Sequence, residues 1–300
     1  MMLPNISIKP NPSPLLKWVG GKRELIPEIS KYYNELDFNN YFELFFGGGA
    51  VFYDIIKKFG LDKVPNSFLN DTNQDLINLL KDVKNNSLIL IDQLHKLKEE
   101  YEIYGYYHIR DRYNGIDKEK TLLSKYSGIE RSAALILLNK TCFNGLYRVN
   151  SKGLFNVPTG RYVNPKIIDI PNINEVSSIL PPTTNISCLD FSVIKNIKKN
   201  DFVYLDPPYH PLNNTSFTEY SSQFGEKQQI QLFKYFKELD DLGAFVILSN
   251  SSAPFIKELY KSYMPTSVLC GRNVNSKGDG RGKIEEVLVI GNSLKNKLGI

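Results

Sequence analysis

The chain has 300 residues, of which 42% are hydrophobic and 23% are charged. This is the composition of a folded protein with room for about two domains, and it excludes a disordered chain. The formal net charge of +5 favours an anionic partner only modestly, because many proteins without such a partner are equally basic.

The chain contains three cysteines and three histidines, and their spacing is not that of a zinc site or a disulfide framework. We therefore predict reduced cysteines and no bound metal. The segment before residue 15 has no apolar stretch long enough for a signal peptide or a membrane span. We expect a cytoplasmic protein that does not bind a membrane.

Apolar runs typical of strands alternate with helical periodicities at both ends of the chain. Strands are predicted at residues 41–46, 67–70, 186–189, 202–205, 244–248 and 286–290, and helices at residues 50–59, 74–83, 226–242 and 254–262. Further helix is predicted at 89–104, which is rich in charge, and at 133–138. The pattern predicts an α/β sheet domain, residues 1–85 and 185–300, interrupted by an insertion at residues 86–184.

A run of glycines, Gly47 to Gly49, stands between the first predicted strand and the helix that follows it. Glycines at such a position let the backbone approach a ligand, and the helix directs its N-terminal amides to the same place. Asp71 ends the next strand and follows Gly49 by about 20 residues, the spacing at which a carboxylate binds a ribose diol. The combination favours a nucleoside ligand over the alternative, a tight turn and a surface aspartate.

Asp190 and Phe191, at the end of the strand predicted at 186–189, allow two interpretations. The carboxylate could accept a hydrogen bond from an adenine amine while the ring stacks on the base. Alternatively, Asp190 caps the next helix and Phe191 belongs to the core. The residues alone favour the second interpretation.

The segment Asp206-Pro207-Pro208-Tyr209 follows a strongly apolar strand. The prolines fix φ and remove backbone donors, so the chain must leave the sheet in a stiff turn at the edge where α/β proteins bind ligands. Asp206 and the Pro207 carbonyl could accept both hydrogens of an aryl amine, which would free the nitrogen lone pair for attack on an activated methyl group. Tyr209 could stack on the aromatic ring. A proline-rich surface turn is the weaker alternative.

Together with residues 17–22, these motifs resemble the Dam-type family of adenine-specific DNA methyltransferases over most of the chain. A long insertion ahead of the tetrapeptide resembles the alpha group of that family, whose closest subgroup methylates adenine in GATC. The resemblance implies a Rossmann-like, S-adenosylmethionine (SAM)-dependent methyltransferase sheet. It also implies that residues 86–184 form a mostly helical target-recognition domain that carries a β-hairpin.

The resemblance implies SAM as the cofactor and assigns roles to individual residues. The implied catalytic residues are Asp206, Pro207 and Tyr209. The implied cofactor-binding residues are Trp18, Lys22, Phe46, Gly47, Gly49, Asp71, Asp190, Phe191 and Asp206. For Asp190 and Phe191, the resemblance reverses the preference that the residues alone give.

Residues 131–168 contain six basic residues and no acidic one, which favours contact with DNA phosphates. Arg148, in the predicted hairpin, could donate two hydrogen bonds to a guanine. In the family the matching arginine reads a guanine, a residue at the place of Asn144 wedges into the duplex, and the counterpart of Lys17 touches the target site. A second basic loop lies near the C-terminus. The predicted DNA-binding residues are Lys17, Lys140, Asn144, Arg148, Asn150, Arg272 and Arg281.

We therefore predict methyl transfer from SAM to the N6 amine of adenine in double-stranded DNA, in GATC, with base flipping. The protein would belong to a restriction–modification system or act alone, as a monomer or weak dimer, without a stable complex with a cognate restriction endonuclease. The alternatives are an amino-methyltransferase that acts on cytosine N4 or RNA, and a DNA-binding homologue that has lost catalysis.

Overall fold

The computed structural model describes residues 10–18, 20–22, 24–64, 66–116, 124–212, 224–271 and 283–300. Backbone contacts divide the chain into two compact units. The insertion unit comprises Met1–Gly21, Gly47–Lys63 and Asn73–Ile186, and the sheet unit comprises Lys22–Phe46, Val64–Thr72 and Ser187–Ile300. The insertion unit is larger than the predicted target-recognition domain, because it also takes in the N-terminal segment and the glycine loop.

Seven strands form one sheet in the order β3-β2-β1-β4-β5-β7-β6. Their bounds are Tyr41–Glu43 (β1), Ser67–Asn70 (β2), Asn185–Ser187 (β3), Phe202–Leu205 (β4), Phe245–Ser251 (β5), Thr266–Gly271 (β6) and Lys283–Ile290 (β7). β1 pairs parallel with β2 and β4, and β4 pairs parallel with β5. β7 runs antiparallel to both β5 and β6. The predicted α/β class and Rossmann-like sheet are confirmed.

The helices of the described residues follow in chain order. They are Ile26–Tyr33 (α1), Ala50–Phe59 (α2), Gln74–Asn114 (α3), Gly128–Thr141 (α4), Ile170–Ser178 (α5), Glu226–Asp241 (α6), Pro254–Leu259 (α7) and Asn292–Leu298 (α8). No helix in the described part of the chain is long and apolar enough to cross a membrane.

The core of the sheet unit lies between the central strands and the helices that follow them. β4 and β5 are buried along their whole length, as expected for parallel strands covered on both faces. One apolar cluster joins strand residues to α6 and α7; it includes Val203, Leu205, Val246, Leu248, Leu232, Phe236 and Ile256. This packing brings the carboxyl ends of β1, β4 and β5 to one edge of the sheet.

The longest helix of the insertion unit contains the two helices predicted at 74–83 and 89–104. α3 runs from Gln74 to Asn114, and its backbone is non-helical at Asn86, between the two predicted helices, and at Gly105. α1, α5, α8 and β6 were not predicted at all. α5 buries only Ile173 and Val176, so its apolar periodicity is too short to stand out in the sequence.

The predicted β-hairpin is present in the insertion unit as the 148–156 hairpin. Val149 and Phe155 form an antiparallel bridge. The Asn150 amide donates to the Leu154 carbonyl over 2.9 Å, and the Asn156 amide donates to the Arg148 carbonyl over 3.1 Å. The hairpin is anchored to the end of α3, because the Asn114 side chain accepts from the Phe155 amide over 2.8 Å and donates to the Phe155 carbonyl over 2.9 Å.

A half-buried ion pair joins α3 to α4. The Arg131 guanidinium donates to both carboxylate oxygens of Asp75, over 2.6 and 2.8 Å, and the Tyr113 hydroxyl donates to Asp75 over 2.6 Å. Burial raises the pKa of Asp75, but the bonds from Arg131 and Tyr113 outweigh it and the pKa is lowered. Arg131, the first basic residue of the acid-free stretch, therefore has a structural partner.

We expect Arg131→Met to lower the free energy of unfolding by about 2 kcal/mol, because it leaves the half-buried Asp75 carboxylate without its cation. Denaturant titration measures this loss. The pKa of Asp75 is lower in the folded state than in the unfolded state. Its ionised carboxylate therefore adds to the free energy of unfolding above the usual pKa of about 3.9, and this contribution is lost as the pH falls through the lower, folded pKa. The matched control is Lys98→Met, which removes an exposed partner of Glu102 and should cost under about 0.5 kcal/mol. Equal losses in the two variants would contradict the assignment.

Candidate active site

The candidate active site of the sheet unit lies where β4 ends. β4 pairs with β1 on one side and with β5 on the other, so the strand order changes direction here. Ligands of open α/β sheets bind at such a point, outside the carboxyl ends of the strands. The tetrapeptide Asp206-Pro207-Pro208-Tyr209 begins directly after β4 and therefore occupies the predicted place.

The Asp206 carboxylate is held by two donors on the same oxygen. The Lys22 ammonium lies 3.0 Å from Oδ1, and the Ser249 hydroxyl donates to Oδ1 over 2.8 Å. Since Ser249 donates to Asp206, its oxygen accepts from the Tyr204 hydroxyl, 2.9 Å away. Oδ2 accepts no hydrogen bond from any residue that the structure describes.

The surroundings of Asp206 oppose its ionisation. Burial raises the pKa of its carboxyl above the usual value, and the charge of Lys22, with hydrogen bonds from Lys22 and Ser249, lowers the pKa by less. The side chain nevertheless remains 19% exposed. One carboxylate oxygen of Asp206 is thus held by two donors, and the carboxylate binds a proton more tightly than that of an exposed aspartate does.

Tyr209 is fixed from both its hydroxyl and its ring. Its hydroxyl donates to Glu286 Oε2 over 2.8 Å, and burial raises its pKa, so the hydroxyl stays protonated. The Lys22 ammonium lies 4.4 Å from the centre of the Tyr209 ring. Lys22, only 7% exposed, therefore contacts both side chains of the tetrapeptide to which catalytic roles were assigned.

Two buried amides hold the backbone on either side of Tyr209. Gln229 Nε2 donates to the Pro208 carbonyl over 2.9 Å, and the His210 amide donates to Asn250 Oδ1 over 3.1 Å. Asn250 Nδ2 donates to Gln229 Oε1 over 3.1 Å, which joins the two. Sequence reasoning missed Gln229, Ser249 and Asn250. The polar residues 249–251, placed at the end of an apolar strand, were the signal that could have found them.

The end of β2 holds a further buried amide next to Asp71. Asn70 Nδ2 donates to the carbonyls of Leu44 and Leu189 over 3.0 and 2.9 Å, and its Oδ1 accepts from the Leu189 amide over 3.0 Å. Asn70 thus ties the segments that follow β1 and β3. Asp71 itself is half-exposed, and its amide donates to the Ser187 carbonyl over 3.3 Å.

In the structure Asp190 is a capping residue and Phe191 is a core residue, which is the interpretation that the residues alone favoured. The Asp190 carboxylate accepts from the amide and hydroxyl of Ser192 and caps a short 3₁₀ turn. Phe191 is 3% exposed and packs against Phe45 and Tyr235. Phe46 is also 3% exposed, so neither of the two predicted cofactor-binding phenylalanines presents an open ring.

In the insertion unit, Trp18 packs against the glycine loop. A Cβ on Gly47 would lie 3.0 Å from Trp18 Cδ1, and Gly47 has a φ of +48°. Gly49 precedes α2 with a φ of +66°, in the left-handed region that favours glycine. The contact between Trp18 and Gly47 brings together two of the predicted cofactor-binding residues.

The predicted DNA-binding residues fall into several environments. Lys17, Asn144 and Arg148 are exposed, and Arg148 Nε donates to Asn156 Oδ1 over 2.7 Å. Lys140 is half-buried, and burial lowers the pKa of its ammonium. The Asn150 side-chain oxygen accepts from two amides of the hairpin turn, so this side chain stabilises the turn. Arg272 and Arg281 lie outside the described residues.

Asn139 connects Lys17 to the start of the hairpin region and was missed by sequence reasoning. Its side chain accepts from the Lys17 amide over 2.8 Å and donates to the carbonyls of Lys17 and Gly145 over 3.0 and 2.8 Å. The side chain is 1% exposed, so its bonds are shielded from water. Nothing in the sequence separates this asparagine from others near the end of a helix.

A family model described as D12 class N6 adenine-specific DNA methyltransferase matches residues 18–271. The chain is 41% identical over 293 residues to the type II methyltransferase M.MjaIII of Methanocaldococcus jannaschii, covering 92% of this chain and 98% of the relative. It is 41% identical over 287 residues to the type II methyltransferase M1.LlaDCHI of Lactococcus lactis subsp. cremoris, covering 94% and 96%. It is also 31% identical over 285 residues to a DNA adenine methylase of Haemophilus influenzae, covering 92% and 93%.

We expect Lys22→Gln to raise the pKa of Asp206 further, and Ser249→Ala to raise it by a smaller amount, because Lys22 contributes charge as well as a hydrogen bond. Titration of carboxyl-labelled aspartate by carbon NMR measures both shifts, and Asp206→Asn assigns the resonance. Lys257→Gln removes an exposed partner of Glu285 in the same unit and should leave the Asp206 titration unchanged. A larger shift in Ser249→Ala than in Lys22→Gln would show that the ion pair is not the dominant contact.

Proposed function

The chain belongs to the D12 class of N6 adenine-specific DNA methyltransferases, and on this premise we propose which of its residues carry the reaction and which site it methylates. The enzyme methylates the N6 amine of adenine in DNA, and methyltransferases generally take the methyl group from SAM. The proposal concerns the roles of Asp206, Tyr209 and the SAM-binding residues, base flipping, and GATC as the target.

The residues proposed to hold SAM fit its chemistry. Gly47, without a side chain, packs its backbone against Trp18, and the half-exposed Asp71 at the end of β2 suits the hydroxyls of a ribose. Lys22, Gly49, Asp190 and Asp206 complete the set. Phe46 and Phe191 would shape the site from within the core, because their rings are buried. When bound, SAM supplies a methyl group that its sulfonium already activates, so the chemistry requires no metal.

The arrangement of Asp206 carries the proposal. Lys22 and Ser249 occupy Oδ1, and Oδ2 is left to accept a hydrogen from the N6 amine. The Pro207 carbonyl would accept the second hydrogen. Both bonds draw the nitrogen toward tetrahedral geometry and release its lone pair from the ring. The nitrogen would have to lose a proton when it takes up the methyl group, and Asp206 would accept that proton, because burial raises the pKa of its carboxyl.

Tyr209 would hold the adenine ring by stacking. Its hydroxyl bond to Glu286 and the Lys22 ammonium beside its ring leave the side chain little freedom. A ring that is already ordered loses little entropy when a base stacks on it. The amine of a paired adenine is inaccessible inside the duplex, so the proposal includes flipping of the target base.

The recognition of GATC is proposed from the resemblance to the subgroup that methylates this site and from the exposed Arg148 on its hairpin. Two of the similar proteins are named type II methyltransferases, which favours a role in restriction–modification. Residues 86–184 are proposed as the target-recognition domain. The cytoplasmic location, the monomeric or weakly dimeric state and the absence of a stable complex with an endonuclease stay predictions.

We expect Asp206→Ala to lower the rate of methyl transfer by at least about 10²–10³-fold, because the amine loses its acceptor in the transition state. Single-turnover assays with methyl-labelled SAM measure the rate, and mass spectrometry of the nucleosides identifies N6-methyladenine. Asp241→Ala, at an exposed position of the same unit, should retain the full rate. Duplex binding by Asp206→Ala should remain. A transfer rate close to that of the wild type would overturn the role of Asp206, and a product other than N6-methyladenine would overturn the choice of acceptor.

We expect Arg148→Ala to lose discrimination at one base pair, by about 1–3 kcal/mol, more than it loses overall affinity. Methylation of duplexes that differ by one base pair from GATC measures this. Lys152→Ala, an exposed cation in the same hairpin, is the matched control and should weaken all duplexes alike. A uniform loss in Arg148→Ala would make this arginine a phosphate contact.

A further inference from the structure

Trp18 contacts the glycine loop on the cofactor side of the insertion unit. A Cβ on Gly47 would lie 3.0 Å from Trp18 Cδ1 and 3.2 Å from its Nε1, and a Cβ on Gly48 would lie 3.3 Å from its Cβ. Gly47 also has a φ of +48°, so glycine is favoured at the point where the loop meets the indole. A shift of the loop toward the indole therefore requires the indole to move.

The same indole stacks on Tyr147. The two ring centres are 5.2 Å apart and the planes differ by 19°. Tyr147 is 8% exposed, and its ring also meets the edge of Phe155 with centres 5.9 Å apart. Its hydroxyl lies 3.5 Å from Asp75, which Arg131 holds in place. Tyr147 is thus packed between Trp18 and Phe155 of the 148–156 hairpin.

Tyr147 also connects to the hairpin through the backbone. It directly precedes Arg148, whose carbonyl accepts from the Asn156 amide over 3.1 Å and whose Nε donates to the Asn156 side chain over 2.7 Å. The contacts therefore run from Arg148 to Tyr147, from Tyr147 to Trp18, and from Trp18 to the glycine loop. A displacement of Arg148 on meeting a base pair would be passed to the stacked rings.

We propose that Tyr147 is a positioning residue that couples DNA recognition by the hairpin to SAM binding at the glycine loop, through its stack on Trp18. The inference rests on the proposed function, which assigns SAM to the loop and DNA to the hairpin. A stacked pair has a preferred offset geometry, so moving one ring costs energy unless the other ring moves with it. Coupling of this kind is reciprocal: the duplex changes the affinity for SAM by the factor by which SAM changes the affinity for the duplex.

The test measures the affinity for sinefungin, a SAM analogue that cannot transfer a methyl group, with and without a duplex that the wild type methylates. We expect the two affinities to differ about fivefold or more in the wild type. Tyr147→Phe keeps the stack and should keep this ratio. Tyr147→Leu should bring the ratio close to one. Tyr104→Leu, at a position that is 60% exposed on α3, is the matched control and should keep the wild-type ratio.

Trp18 is the only tryptophan of the chain, so the wild type itself reports on the stack. We expect the duplex alone, without a cofactor, to shift the tryptophan emission, and this readout does not depend on whether Tyr147→Leu folds. An unchanged emission, or an unchanged affinity ratio in folded Tyr147→Leu, would overturn the coupling. Either result would leave the proposed function standing, because the duplex is chosen as one that the wild type methylates. A wild type that methylates no DNA would instead overturn the proposed function.

Discussion

The contact of one buried ammonium with two side chains of the tetrapeptide is the constraint on which the candidate active site depends. Lys22 forms an ion pair with Asp206 and lies over the ring of Tyr209. A cation that is 7% exposed has lost most of its hydration, and the carboxylate and the π face compensate for that loss. Because the prolines make the backbone between these two residues stiff, the position of each constrains the other.

Buried polar side chains hold the strand ends around this contact. Gln229 and Asn250 fix the backbone of the tetrapeptide, Ser249 holds Asp206, and Asn70 ties the segments after β1 and β3. Loops that leave a parallel sheet expose backbone groups that need partners, and these side chains supply them. The proposed acceptor for the amine, Asp206, is therefore held in place by the protein itself, which is the condition under which electrostatic catalysis is effective.

The basic residues of the insertion unit have different tasks despite their similar charge. Arg131 is bound to Asp75 and supports the packing of α3 on α4, whereas Arg148 is exposed on the hairpin. Tyr147, between them in space, contacts both the Asp75 cluster and Trp18. Tyr147 thus takes part both in the packing that stabilises the insertion unit and in the proposed response to DNA.

The sequence by itself determined the elements next to the tetrapeptide, because an apolar strand followed by two prolines has few other conformations. It also placed Asp71 and the glycine loop correctly, since spacing along one strand–helix unit is a local property. Only the tertiary structure revealed that Lys22 and Ser249 share one oxygen of Asp206, and that Arg131 belongs to Asp75. Such partners are far apart in the chain, and strand order and helix packing, which periodicity does not encode, decide whether they meet.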